Sequence, residues 1–262
     1  EVGCNTFLLE KSNELGGLAS LISKIPAKNR LADFPHYLMH RAEQLDNLYI
    51  FKNTEGTPEN IRKFHPNIIV SSTGSAPLLP PIAGLKDRID NENHNIYSIL
   101  GMISHINDFP KDLEGKKVVV VGGGAVGLDV VEFFADRNAD ISIVEMMDQI
   151  GRDLDPVSKN DTKTMMKKHN VHQLTKTALL EVKDSSFLVR GDGEPYELPF
   201  EYGFVCLGMR AQGQLYQNLT EEFSSEDVEI MNIGDSQRAR RIIDGTQEGR
   251  NILTILEQKG YL

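Results

Sequence analysis

The sequence predicts an α/β fold built from two parallel-sheet blocks, and three observations carry that expectation. Val118-Val119-Val120-Val121 runs directly into Gly122-Gly123-Gly124-Ala125-Val126-Gly127, then into a helical stretch Leu128 to Arg137 and a strand Asp140 to Glu145. An earlier strand-like segment, Cys4 to Glu10, also ends in an acid. Two later strands end in glycine, Asn67 to Ser72 before Thr73-Gly74 and Gly203 to Leu207 before Gly208, so the plan is a coarse duplication.

The valine run reads as a buried parallel strand, and the glycines after it read as a Rossmann-like fingerprint. Gly122 allows the tight turn, Gly124 lets a pyrophosphate approach the backbone, and Gly127 lets helix and sheet pack closely. The helix N-terminus then faces the phosphates. Glu145 closes the next strand about 20 residues on, where a carboxylate accepts hydrogen bonds from the adenosine ribose hydroxyls. A 2′-phosphate beside Glu145 is repelled, and Met146, Met147 and Asp148 offer it no arginine, so NAD is expected over NADP. A bare Gly-x-Gly-x-x-Gly is weak evidence; the strand before, the helix after and the spaced acid give it weight.

The remaining elements follow in chain order. The turn Glu14-Leu15-Gly16-Gly17 follows the first strand, and a helical region interrupted at Pro26 restarts near Asp33 and runs to Leu45. Asn47 to Phe51 is a short strand. Thr57-Pro58-Glu59 opens a helix with a capping threonine and proline at its first position, ended before Pro66. Asn67 to Ser72 reads as a buried strand, and Pro77 to Gly84, with three prolines, as a stiff crossover between domains. Ile96 to Leu113 is poorly patterned. Asp155-Pro156 caps a helix running to about His169, and strands are expected at Leu179 to Val182, Ser186 to Arg190 and Tyr196 to Pro199, with Asp192-Gly193 as a turn. Val228 to Ile233 closes on Gly234-Asp235, and Arg241 to Lys259 forms the last helix.

At 262 residues the chain has room for two domains. A net charge of −10 argues against nucleic acid and anionic membrane as partners. No apolar run spans a bilayer and no charged-then-apolar leader opens the chain, so a cytoplasmic protein is expected. Cys4 and Cys206 lie far apart on apolar strand-like segments and are expected as buried thiols, with no redox pair and no iron-sulfur cluster on this chain. His36 and His40 have i,i+4 spacing without an acid motif and read as a surface pair, while His169 and His172 are expected to solvate a helix end.

This plan resembles the two-dinucleotide-domain flavoprotein superfamily. Within it, the chain is similar to the C-terminal region of Old Yellow Enzyme-related NADH:flavin oxidoreductases of the 2,4-dienoyl-CoA reductase, enoate reductase and trimethylamine dehydrogenase type. The residues carrying the resemblance are Leu8-Leu9-Glu10-Lys11 with Leu15-Gly16-Gly17, Ser72-Thr73-Gly74-Ser75, Val144-Glu145-Met146 with Ile150 to Pro156, Leu207-Gly208-Met209-Arg210, and Ile233-Gly234-Asp235 with Arg240 to Gly245. Ala211-Gln212, where the family often has proline and asparagine, and Ser72, where it has alanine, depart from the pattern. The resemblance implies a three-layer ββα fold with an NAD domain at residues 113–224 inserted in an FAD or ADP domain formed by residues 1–112 and 225–262. It implies that Glu10, beside Lys11, holds the adenosine ribose of FAD or ADP, that Gly17 lines the phosphates, that Gly74 marks the flavin-side crossover, and that Asp235, after Gly234, accepts from the ribityl chain. Gly208 falls near the nicotinamide half.

The family's first strand, with its glycine turn and helix, precedes the strand bearing Glu10. The FAD domain is therefore expected to be incomplete, and the chain to be a fragment whose upstream part carries a barrel with FMN, a 4Fe-4S cluster and the substrate site. The implied activity passes hydride from NADH to FAD and electrons onward to reduce an activated C=C bond. Hydride transfer needs stacked rings and no acid or base, so no catalytic residue and no metal ligand is assigned. Two alternatives stand beside it: a nucleotide-binding structural module that fills the FAD-type site with ADP, and an NADH oxidase-type disulfide reductase. Homo-oligomerisation is left open.

Overall fold

The computed structural model describes residues 1–261. Its contacts divide the chain into unit 1, Glu1–Ser23, Lys28–Ala76 and Met209–Leu262, and unit 2, Lys24–Ala27 and Pro77–Gly208. Unit 1 opens with β1 (Thr6–Leu9), α1 (Gly17–Ile22), α2 (Asp33–Ala42), β2 (Leu48–Phe51), α3 (Pro58–Arg62), β3 (Ile68–Ser71) and β4 (Ser75–Pro77). Unit 2 follows with α4 (Leu85–Arg88), β5 (Ile96–Tyr97), α5 (Ile99–Ser104), β6 (Lys117–Val121), α6 (Ala125–Ala135), β7 (Asp140–Val144), α7 (Pro156–Lys168), β8 (His172–Leu174), β9 (Ala178–Val182), β10 (Ser186–Arg190), β11 (Tyr196–Pro199) and β12 (Tyr202–Val205). The chain returns to unit 1 with β13 (Met209–Ala211), α8 (Gln214–Glu222), β14 (Glu229–Asn232) and α9 (Ile242–Gln258).

Unit 2 is three layers around one parallel sheet of order β5-β12-β6-β7-β8. The valine run forms the central strand β6, which is buried on both faces as a parallel strand must be. Alternate valines serve opposite layers. Val119 and Val121 join Val182, Phe187, Val189 and Phe200 of the antiparallel meander β11-β10-β9 and its flanks. On the helix side Phe134 of α6 lies 4.8 Å from Phe204 of β12, ring to ring, and Phe109 meets both Phe133 and Phe134 edge-on. Aromatic pairs of this kind add about 0.5–1.5 kcal/mol each to their area burial.

Unit 1 carries its strands in pairs: β1 with β2 and β3 with β14, both parallel, and β4 with β13. Its core places Ile69 of β3 with Leu219 of α8 and Phe223, and Ile61, Leu215, Val228 and Ile230 pack around them. The capping signals act as read: the Thr57 hydroxyl accepts the Asn60 amide (3.2 Å), and Asp155 Oδ1 accepts those of Val157 and Ser158 (3.0 and 3.1 Å).

Several expectations need correction. The units divide at residues 76/77 and 208/209, where the sequence suggested 112/113 and 224/225. The reason is that Ile96–Tyr97, inside the stretch read as unpatterned, pairs with β12 as the sheet edge, while α8 packs into the unit 1 core. His172 does not solvate a helix end: it begins β8, paired to β7, with Nε2 3.4 Å from Asp140. The β3 strand is buried only at alternate residues, Ile69 and Ser71, with Val70 exposed. Cys4 is only partly buried, whereas Cys206 is fully so. Burial pushes the Cys206 thiol up to about 12, with Asp129 and Asp90 adding to the effect.

Candidate functional site

The C-terminal ends of β6, β7 and β12 bring Gly122, Glu145 and Gly208 to one edge of the unit 2 sheet. The strand order reverses between β6 and β12, where open α/β sheets form their ligand crevice. Each fingerprint glycine meets a different constraint. Gly122 has φ +107° and a Cβ there would stand 2.1 Å from the Cys206 carbonyl oxygen. A Cβ on Gly127 would stand 1.9 Å from the Gly122 carbonyl oxygen, so the helix lies on the turn at a distance only glycine permits. At Gly124 a Cβ would meet nothing within 4 Å. Gly124 is also the N-cap of α6 and offers no side-chain cap, leaving the first-turn amides and the positive end of the helix dipole facing that open space.

Glu145 is held from two sides. Oε2 accepts the Gly123 amide and Oε1 the Met147 amide, both at 2.7 Å. A carboxylate has about four lone-pair sites, so two remain for further donors. The amide of Gly123 is a partner sequence reading missed, since Gly123 fills the unspecified position between the first two glycines of the motif. The Gly123 carbonyl in turn accepts the Gly151 amide (2.7 Å), tying the segment after β7 to the turn. Met146 and Met147 beside Glu145 are exposed.

The unit 1 residues form two groups. Gly74 (φ +73°) accepts the Gln212 amide (2.9 Å), and its neighbour Ser75 donates its hydroxyl to Asp235 Oδ2 (3.0 Å). Asp235 Oδ1 accepts the Arg240 amide (3.0 Å), and Gly234 (φ +66°) donates its amide to Glu248 of α9 (2.6 Å). That amide and the Arg240 guanidinium hold the Glu248 carboxyl below its ordinary range. Ser75 and Arg240 fall in segments that carry the resemblance but were given no role from sequence, and Glu248 was not singled out. In the second group, Glu10 Oε1 accepts the Ser12 amide (2.8 Å), Lys11 is exposed, and Gly17 heads α1 with φ +53°. No hydrogen bond among the described residues joins Glu10, Lys11 or Gly17 to Gly74, Gly234 or Asp235.

A family model described as pyridine nucleotide-disulphide oxidoreductase matches residues 38–231. The chain belongs to that family. The NADH oxidase of Thermoanaerobacter brockii is 25% identical over 94% of this chain and 36% of its own length. The metal reductase of Desulforamulus reducens is 25% identical over 95% of the chain and 40% of its own length. The chain thus spans well under half of these relatives. Among solved structures, 2-naphthoyl-CoA reductase in complex with 2-naphthoyl-CoA superposes with a TM-score of 0.79 at 22% identity, over 94% of this chain and 35% of that one, and shares its fold. No helix among the described residues is long and apolar enough to cross a membrane.

Proposed function

We propose that unit 2 binds NADH, and that in the whole polypeptide hydride passes from NADH to FAD associated with unit 1, electrons then moving to an upstream domain with FMN and a 4Fe-4S cluster that reduces an activated C=C bond. The observation that carries the NADH part is Glu145, fixed by the Gly123 and Met147 amides beside the open face of Gly124 and the uncapped end of α6. Gly124 and the α6 amides receive the pyrophosphate, Glu145 orients the adenosine ribose, and Gly208 leaves room on the nicotinamide side. The carboxylate and the exposed methionines beside it disfavour a 2′-phosphate. The upstream part is supported by the short span of the chain against relatives that are oxidases and reductases.

The described residues of unit 1 offer acceptors for FAD: Glu10 has capacity for a ribose, and Asp235, with one protein donor on each oxygen, keeps lone-pair sites for a ribityl hydroxyl. The second reading of unit 1 is an ADP-holding structural module without hydride transfer. For the disulfide reductase alternative the described residues supply no reactive redox pair, since Cys206 is buried with its thiol pushed up to about 12, and that reading would need a cysteine from polypeptide outside these residues.

The test is NADH titration followed by nicotinamide fluorescence, repeated with NADPH and with Gly124→Val. Saturable NADH binding, at least tenfold weaker for NADPH and abolished by the valine, is expected; equal binding by the variant would remove the fingerprint from the reading. A visible spectrum after incubation with FAD and gel filtration, then with anaerobic NADH, separates the two readings of unit 1. A retained flavin band that bleaches supports hydride transfer, and a colourless protein supports the module.

A further inference from the structure

The chain holds eight methionines, and burial divides them sharply. Met39, Met102, Met165, Met166, Met209 and Met231 are buried or half-buried, whereas Met146 is 68% exposed and Met147 40%. The two exposed thioethers are consecutive, and they follow directly on Glu145, the acid of the unit 2 crevice. Their exposure does not come from a loosely held loop. The Glu145 amide donates to the Leu174 carbonyl and the Glu145 carbonyl accepts the Thr177 amide, both at 2.9 Å. Glu145 Oε1 accepts the Met147 amide at 2.7 Å, and the Met147 carbonyl accepts the Lys176 amide at 2.9 Å. Backbone bonds on either side of Met146 therefore hold an apolar side chain in water at a fixed place.

An apolar side chain gains free energy when a ligand covers it, and a backbone already fixed leaves less ordering entropy to lose on binding. On the NADH reading above, on which this inference rests, Glu145 takes the ribose hydroxyls and the pyrophosphate lies at Gly124. Adenine leaves the ribose at C1′, at the opposite end of the sugar from the carbon that carries the pyrophosphate. The base therefore emerges beyond Glu145, where the chain continues into Met146. A thioether is polarisable and makes favourable contacts with an aromatic ring. Oxidation turns that flexible apolar group into a polar, chiral sulfoxide.

We propose that Met146 is a redox-sensitive wall of the dinucleotide site: bound NADH shields its thioether, and hydrogen peroxide, converting it to the sulfoxide when the site is empty, weakens NADH binding. The sulfur lone pair attacks one peroxide oxygen, so that an S–O bond forms as the O–O bond breaks. Sulfur gives up two electrons, and the second oxygen leaves as water after taking the proton of the first. Peroxide is small and uncharged, so the net charge of −10 does not exclude it. Cys206 does not compete for the oxidant, being buried with its thiol pushed up to about 12, where little reactive thiolate exists at neutral pH.

Peroxide treatment of this chain tests it, with peptide mass spectrometry following each methionine and nicotinamide fluorescence following NADH binding. Met146 is expected to oxidise at least tenfold faster than the buried Met102 and Met231, and at least fivefold more slowly once NADH saturates the protein. With Met146 as sulfoxide, NADH affinity falls at least fivefold, and methionine sulfoxide reductase with dithiothreitol restores it. Met146→Leu keeps the apolar bulk without an oxidisable sulfur, so its NADH affinity is the same before and after peroxide, whereas Met147→Leu still loses affinity on treatment. Three results overturn the redox wall: complete Met146 sulfoxide with unaltered NADH affinity, an equal loss of affinity in treated Met146→Leu, or Met146 oxidation that NADH does not slow. Untreated protein that binds no NADH overturns the NAD reading and the wall with it; NADH binding indifferent to Met146 oxidation overturns the wall alone.

Discussion

Gly122, Gly124 and Gly127 share one motif and meet three demands, and single alanines separate them. Gly122→Ala sets a Cβ against the Cys206 carbonyl at a positive φ, and Gly127→Ala sets one against the Gly122 carbonyl. Each is expected to cost about 1–3 kcal/mol in urea denaturation, Gly122 the more because of its backbone. Gly124→Ala enters open space, so it leaves stability within about 0.5 kcal/mol while weakening NADH binding. A large stability loss there would show that Gly124 is a structural glycine. Cys206 supplies a pH prediction. Its folded value is raised from 9.0 to about 12, so above pH 9 the unfolded chain releases a proton that the native state keeps. Stability therefore falls with rising pH over that window, by about 1.4 kcal/mol per unit, and Cys206→Ala removes that part of the slope. Equal slopes in the two proteins between pH 9 and 10.5 would sink the assignment.

The helices show how far local chemistry reaches. The spacing of Asp155 and Pro156 located the start of α7 because the cap acts within three residues. The Ser158 hydroxyl and the Ser158 and Val157 amides hold the Asp155 carboxyl below its ordinary range, so its contribution is present at neutral pH and lost as pH falls through the folded value. Asp155→Ala is expected to lower the urea midpoint at pH 7, with the gap to the parent protein closing in acid. On α6, Phe134 is fully buried against Phe204, and Phe134→Ala is expected to cost about 3–5 kcal/mol by chemical denaturation. The elements that sequence reading did not find are short or polar. β5 has two residues and β8 three, and α8 mixes Gln, Asn and Thr with its apolar face; each is set by what it packs or pairs with, not by its own pattern.

Across the whole molecule the two units are unequally complete. Unit 2 holds a five-stranded sheet covered by a meander and helices, whereas unit 1 pairs its strands only in twos. Calorimetry is expected to resolve two transitions, and NADH at 100 times its Kd should raise only the higher one, by about 2.7 kcal/mol. A single transition shifted as one would show the units to be cooperative. The fingerprint, the acids closing β1 and β7, the caps and the long strands were legible in the residues, because a tight turn, a helix start and a buried run are dictated by neighbours a few positions away. The tertiary structure alone decided that Ile96–Tyr97 belongs to the inserted unit, that Ser75 and Arg240 bond to Asp235 and Glu248 holds Gly234, and that Glu145 grips the Gly123 amide. Those are pairings between segments far apart in the chain, and no local propensity encodes which edge or which carboxylate will be met.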